Sequence, residues 1–251
     1  MTHPLSVQLY SVRDLLADDR DGVLRRIAGF GYGAVEPFQP TADPHGFRKV
    51  ADDLGLTVSS VHAGALLGEP VEVEAVFEAA AVLGTDLVIV PAGFPHEDFT
   101  TADGIARTAE KLNALAEQAT AHGQRVGYHN HWWEFEPVIE GRHALEVLAD
   151  QLVPEVFLEV DTYWAAVGGA DVPKVLGGLG ERVRALHVKD GPVVQGRPHT
   201  AVGAGSMPVP AILAAAPAAA WRIVELDSCA GDVMEALAES RTYLSALEAR
   251  A

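Results

Sequence analysis

Cysteine is nearly missing from this chain. Cys229 is the only one in 251 residues, so no intrachain disulfide can form. A lone thiol fits a reducing compartment. Long apolar runs are missing as well. None approaches the roughly 20 residues needed to cross a bilayer, and the longest Ala-rich stretch is interrupted by Pro208, Pro210 and Pro217. The opening segment, MTHPLSVQLYSV, has no basic region ahead of a long apolar core, so it does not read as a secretory signal. Positive charge is scarce: 18 Lys plus Arg stand against 35 Asp plus Glu, a net charge of −17. A phosphate backbone demands clustered cations, which this composition does not offer. Together these absences predict a cytoplasmic protein with no nucleic-acid partner and no membrane partner. The acidity itself reads as a solvated surface and says little about a pocket, where a bound metal would reverse the local charge.

What is present is a large apolar fraction, 49%, arranged in alternation. Eight short β-rich runs recur: LSVQLYS (5–11), AVEPF (34–38), TVSSVHA (57–63), LVIVPAG (87–93), RVGYHNH (125–131), VFLEVD (156–161), VRALHVKD (183–190) and WRIVELD (221–227). Several are continuously apolar before a polar tip, the pattern of parallel strands buried on both faces. Helix-like segments separate them. RDGVLRRIAGFG, FRKVADDLG, VEAVFEAAAVLG and IARTAEKLNALAEQATAHG each end near glycine, as helix C-termini often do. HALEVLADQL, VPKVLGGLG, VPAILAAAPAAA and a final amphipathic DVMEALAESRTYLSALEA follow. No linker or composition shift divides the chain. Eight β-α units in about 250 residues predict one (β/α)₈ TIM barrel spanning 1–251. A doubly wound open sheet is the alternative. Against it, no GxGxxG turn follows the first strand, and GAGS at 203–206 is too short and too late for a phosphate loop.

The last four strands end in residues that packing does not call for. The fifth carries His129 and His131, with Glu134 just beyond; the sixth ends at Asp161; the seventh carries His187 and Lys189; the eighth carries Glu225. Side chains alternate along a strand, so His129 and His131 share one face and Tyr128 and Asn130 take the other. His129, Asp161, His187 and Glu225 then ring the C-terminal mouth, where barrels keep their chemistry. Mixed imidazole and carboxylate ligands suit Mn²⁺, Co²⁺, Zn²⁺ or Fe²⁺ better than Ca²⁺. Taken singly, each has a plainer reading: an inward His is a hydrogen-bonded core residue, and an Asp after a strand caps the next helix. The four together point to one metal. Lys189 shares a face with His187, fit to neutralise an oxyanion or move a proton, or to pair with a neighbour such as Asp190. Glu134, after Trp132 and Trp133, is a candidate general base or a metal ligand, or a loop glutamate facing water. Gln8, Glu36, His62, His131 and Trp164 are candidates to line a substrate pocket, each with a structural reading of equal weight.

These motifs carry a resemblance. HNH-x-x-E (129–134), D-x-Y-W (161–164) and H-V-K-D (187–190), with VQLYSVRD, GYGAVEPF, SSVHAG and IVELDS, are similar to the xylose-isomerase-like TIM-barrel superfamily, in its sugar phosphate isomerase/epimerase branch, over nearly the whole chain. The resemblance implies a divalent metal held by a Glu, Asp, His and Glu on strands five to eight. Asp161, His187 and Glu225 match three of these. At the fifth strand many relatives read Glu-Asn, whereas this chain reads His129-Asn130, leaving His129, His131 or Glu134 as the fourth ligand. Trp164 stands where several epimerases have a histidine. The resemblance therefore implies an enzyme with one divalent ion (Mn²⁺ first, then Co²⁺, Zn²⁺, Fe²⁺ or Mg²⁺) acting on a small sugar or polyol. The expected reaction is isomerisation or epimerisation through an enediolate, with Glu134, Lys189 and Glu225 as catalytic residues. The alternatives are a dehydratase or lyase of an inosose or keto-glycoside, and a non-catalytic sugar-binding barrel. A homo-oligomer is compatible with all of these.

Overall fold

The computed structural model describes residues 3–68 and 72–249, so the first two residues of the opening segment and the last two of the chain lie outside the described residues. The apolar runs become strands β1 (Ser6–Gln8), β2 (Ala34–Glu36), β3 (Thr57–Val58), β4 (Val61–His62), β5 (Leu87–Val90) and β6 (Arg125–His129). A small hairpin of β7 (Val138–Ile139) and β8 (Arg142–His143) follows, then β9 (Phe157–Asp161), β10 (Val183–Val188) and β11 (Trp221–Val224). All but the hairpin form one parallel sheet in the order β3-β2-β1-β11-β10-β9-β6-β5-β4. Its two ends, β3 and β4, are consecutive pieces of the third predicted run, so the sheet curls into a nearly closed TIM barrel. The break falls at Ser59–Ser60. Both hydroxyls turn inward there: Ser59 bonds to Ser6 Oγ at 2.9 Å and Ser60 donates to Glu36.

The helices fill the expected intervals: α1 (Arg13–Gly29), α2 (Pro44–Leu54), α3 (Val73–Leu83), α4 (Ala102–Ala121), α5 (Ala144–Gln151), α6 (Thr162–Val167), α7 (Val172–Leu179), α8 (Val209–Ala215) and α9 (Val233–Glu248). Gly55 and Gly84, at φ +69° and +82°, close α2 and α3 in the left-handed conformation glycine adopts at least cost. Two local features depart from the sequence reading. The segment VPAILAAAPAAA is helical only to Ala215, because Pro217 cannot continue the ladder. The short α6 is an extra turn, started by Asp161, whose Oδ1 accepts from Trp164 N at 2.8 Å.

Strand alternation sorts the side chains into two cores. Leu158, Val160, Leu186 and Val188 face the helices, in the large cluster between sheet and helical layer. Phe157, Ala185, Ile223, Trp221, Ala34, Leu87 and Ile89 fill the lower barrel interior as a separate apolar plug. Gly127 makes room for that plug, since a Cβ there would lie 2.3 Å from the Phe157 ring. Above the plug the same inward positions turn polar, and that change of character places the site.

Candidate active site at the strand tips

Two layers of ionisable side chains sit on the apolar plug. The lower one gathers around Glu159, the inward residue of β9 two positions before Asp161. Glu159 Oε2 lies 2.5 Å from His62 Nε2, 3.0 Å from His129 Nδ1 and 3.3 Å from His187 Nε2. Beside it, Glu36 Oε2 accepts from Gln8 Nε2 at 2.7 Å and lies 2.8 Å from His187 Nε2. All are buried, and Glu36, Glu159 and His187 have no exposed surface at all. His62, His129, Glu159 and His187 each offer a ligand atom within 4.8 Å of the others.

The upper layer is Asp161, Glu225, Lys189 and Asp227. Asp161, His187 and Glu225 form a second group whose ligand atoms lie within 4.8 Å of one another. His187 joins the layers, with Nδ1 2.6 Å from Glu225 Oε2 and Nε2 facing Glu36 and Glu159. His129 reaches both as well, its Nε2 3.9 Å from Asp161 Oδ2. Lys189, 1% exposed, stands among three carboxylates: Nζ is 2.8 Å from Asp161 Oδ2, 2.7 Å from Glu225 Oε2 and 2.9 Å from both oxygens of Asp227. The pairing imagined with Asp190 does not form. That carboxylate instead accepts backbone N–H groups of Gly191, Gly203, Gly205 and Met207, and so folds the GAGS loop.

Burial and charge compete here. Burial disfavours a charged Lys189, but Asp161, Asp227 and Glu225 outweigh it and hold its pKa well above the ordinary lysine value. Burial likewise pushes Glu225 up, yet Lys189 and His187 hold it well below the usual carboxylate range. Asp161 is raised to about 6, chiefly by burial. His129 and His131 are lowered to about 4 and about 2, again chiefly by burial, so both imidazoles are neutral at pH 7.

A cavity of about 470 Å³ opens above these layers. His62, His129, His131, Lys189, Glu225 and Asp227 line its polar side, and Tyr10, Phe38, Trp132 and Trp164 supply aromatic walls. His129 and His131 therefore share the inward face, as alternation predicts. His131 stacks on Trp133 at 4.1 Å, and Trp164 donates Nε1 to Asp227 at 2.9 Å. Gln8 and Glu36 lie below the cavity, within the lower layer. Glu134 is not among the lining residues. It is fully buried behind the wall, accepting from Tyr128 Oη at 2.5 Å and from His131 N at 2.8 Å, and burial raises it to about 7. A smaller, mostly apolar cavity of about 270 Å³ lies between α1 and α2, away from these groups.

Sequence reasoning missed two of the residues brought together, Glu159 and Asp227. Each lies two positions from a residue it did select, Asp161 and Glu225, and period-two alternation alone would have found both. The buried ring of His199 packs 4.5 Å from Tyr163 and accepts from Asp227 N at 3.2 Å, which places the aspartate.

The residues present fit a divalent cation. Glu159 Oε1, Asp161 Oδ2 and His187 Nδ1 are buried without a hydrogen bond of acceptable geometry, although charged neighbours stand close to the last two. Buried polar atoms seldom go unpaired, so such a cluster marks a place for a ligand. Imidazole and carboxylate donors line the cavity, a mixture that first-row transition ions accept.

Comparison with known proteins agrees with this architecture. No curated protein matches the chain. Its fold is similar to that of a sugar phosphate isomerase/epimerase from Parabacteroides distasonis (TM-score 0.79, 24% identity, 96% of this chain and 93% of the other). It is also similar to a probable 3-DHS dehydratase, AsbF, from Bacillus anthracis (TM-score 0.76, 13% identity, 97% and 99%). A third likeness is to a xylose isomerase-like TIM barrel protein from Mycobacterium smegmatis in complex with magnesium (TM-score 0.71, 15% identity, 97% and 96%). The family model described as xylose isomerase-like TIM barrel matches residues 24–244, and the chain belongs to that family.

Proposed function

We propose that this chain, read as one domain, is a divalent-metal-dependent enzyme that moves a proton next to the carbonyl of an unphosphorylated keto-sugar or polyol. The observation that carries the reading is the Glu225–Lys189 pair, 2.7 Å apart, on the polar side of an aromatic-walled cavity. A bound divalent ion would polarise a carbonyl and its neighbouring hydroxyl and so acidify the C–H between them. Asp161, His187 and Glu225, with His129 beside them, form the ligand set the family resemblance implies. The lower group of His62, His129, Glu159 and His187 offers the other.

The side chains divide the remaining work. Glu225 is the carboxylate placed to take the proton. Lys189 keeps its charge against burial, so its part is electrostatic: an ammonium facing the oxyanion that develops on the substrate. Trp132 and Trp164, with ring centroids 5.0 Å apart, offer flat apolar surface to a sugar ring. Among the described residues Lys189 is the only lysine or arginine lining the cavity, and three carboxylates already share its charge. No cation is left for a phosphate, which favours a neutral substrate.

A dehydratase is the second reading, and one observation favours it. The carboxylates that line or edge the cavity, Asp161, Glu225 and Asp227, rise from or just beyond β9 and β11, while β6 presents neutral imidazoles where relatives have a glutamate. Acid and base on one side suit loss of a β-hydroxyl, or a hydrogen shift on one face, better than epimerisation across two faces. The dehydratase fold likeness is in keeping with this. Incubation of metal-loaded protein with keto-sugars and keto-polyols in D₂O tests both. Deuterium at the α-carbon with an isomer or epimer as product supports the first reading, and an unsaturated product supports the second. No exchange and no product across the panel would overturn the enzymatic reading.

A further inference from the structure

We infer that the floor of the barrel, at the opposite end from the strand tips, binds a small oxyanion, a phosphate or carboxylate group held by Arg184 and Arg125. Three features of that end support the site, and it stands apart from the chemistry proposed at the tips.

The first is a hollow. A cavity of about 210 Å³ opens beneath the apolar plug, and the opening residues of several strands line it, among them Thr57 of β3, Leu87 of β5, Arg125 of β6 and Trp221 of β11. At roughly 30 Å³ per water in the liquid, it has room for about seven waters, or for one small anion with part of its hydration. Part of its wall is flat and aromatic, because the His3 ring stacks on Trp221 at 3.9 Å.

The second is the way Arg184 reaches it. Ala185 and His187 are inward residues of β10, so strict alternation would send residue 184 outward toward the helices. The register is broken at that point. Val183 pairs with Leu158 and Ala185 with Glu159, so two steps along β10 meet one step along β9. Arg184 is thus the extra residue of a β-bulge, the device that re-aims a side chain at a barrel rim. The half-buried Arg184 lines the hollow. Arg125 needs no such device, since it shares the inward face of β6 with Gly127 and His129.

The third is charge. The hollow holds two guanidinium groups against one carboxylate. Asp86 pairs with Arg125 at 3.1 Å, whereas Arg184 meets no carboxylate among the described residues. Burial lowers the pKa of His3, and the charges of Arg184 and Arg222 lower it further, so its ring is neutral at pH 7 and leaves the cationic role to the arginines. The net charge of −17 does not oppose an anion here, because exposed charges more than about 8 Å away are screened at physiological ionic strength. The planar fork of a guanidinium matches the paired oxygens of phosphate and carboxylate.

Calorimetric titration of the full-length protein tests the site, with sodium orthophosphate and sodium succinate as probes and sodium chloride at equal ionic strength as the control. Saturable binding of one equivalent is expected, and the tighter probe tells whether the site prefers a phosphoryl or a carboxylate group. At 100 times the dissociation constant, Tm should rise by about 5–10 °C. Arg184→Gln should weaken binding roughly tenfold or more, the worth of a charge-assisted hydrogen bond. Asp86→Asn removes the one opposing carboxylate and should tighten binding, a gain that a folding defect cannot imitate. A response to both probes no greater than that to chloride would overturn the site. So would unchanged affinity in Arg184→Gln, or weaker binding in Asp86→Asn.

Discussion

Asp227 accepts two hydrogen bonds from Lys189 Nζ, one at 2.9 Å to each carboxylate oxygen, and a third from Trp164 Nε1 at 2.9 Å. One side chain thus ties the cavity's cation to its aromatic wall. Asp227 is partly exposed, while Lys189 is buried. The aspartate therefore holds the lysine from the solvent side and sets where its charge points. In Asp227→Asn one oxygen is replaced by a donor that repels the ammonium. Lys189 then turns toward Asp161 and Glu225. We expect kcat to fall about 10- to 100-fold, the scale seen when a partner that orients a working group is lost. Steady-state kinetics check this, and a change in KM alone would count against a positioning role.

Lys189→Met removes the ammonium that contacts both Asp161 and Glu225. Breaking a buried pair by deleting one partner costs about 3–5 kcal/mol, because the other charge stays behind uncompensated. Urea unfolding at pH 7 should show a loss of that size. Retention of wild-type stability would mean the upper carboxylates already carry protons or another cation.

Much of this was legible in the sequence, for a physical reason. Each polar tip alone has a structural reading, but four consecutive strands ending at His129, Asp161, His187 and Glu225 are hard to explain by packing, so the barrel and the convergence of its tips follow from composition along the strands. Glu159 was hidden because it sits inside the run VFLEVD and looks like a lapse in an apolar strand rather than a tip. The fate of Glu134 was hidden for another reason. Its position depends on the path of the loop after β6, which turns its carboxylate toward Tyr128, and periodicity does not encode loop paths. Lys189 was visible as an inward cation, but its three partners come from β9 and the segment after β11, and no local spacing announces them.

Gly127 offers a test of the barrel interior that is independent of chemistry. An added methyl would meet the Phe157 ring at 2.3 Å, and that ring is packed among Ala34, Leu87, Ile89 and Trp221. Overpacking of a filled core costs typically 1–3 kcal/mol. Gly127→Ala should lose that much stability in chemical denaturation while its metal content, one layer higher, stays the same.

Glu134 and Glu225 differ in where their carboxylates lie, one buried behind the cavity wall and one lining the cavity. Glu225 lines the cavity beside Lys189, so Glu225→Gln should lower kcat by roughly 10²–10⁴-fold, the usual worth of general acid–base catalysis. Glu134 faces away, and glutamine can replace it: an amide oxygen still accepts from His131 N while the amide nitrogen donates to Tyr128 Oη. Glu134→Gln should therefore keep most of its activity. Its signature is in stability instead. Burial raises the folded pKa of Glu134 from 4.5 to about 7, so the folded state holds a proton that the unfolded chain releases earlier. That contribution is complete below pH 4.5, declines as pH rises, and is lost above about 7. The shift corresponds to roughly 2–4 kcal/mol at about 1.4 kcal/mol per pH unit. Glutamine does not titrate, so the variant should lose less stability than wild type between pH 4.5 and pH 8, with the difference measured by urea unfolding at each pH. A fall in kcat for Glu134→Gln as large as that for Glu225→Gln, with no change in the pH profile of stability, would make Glu134 a reacting group after all.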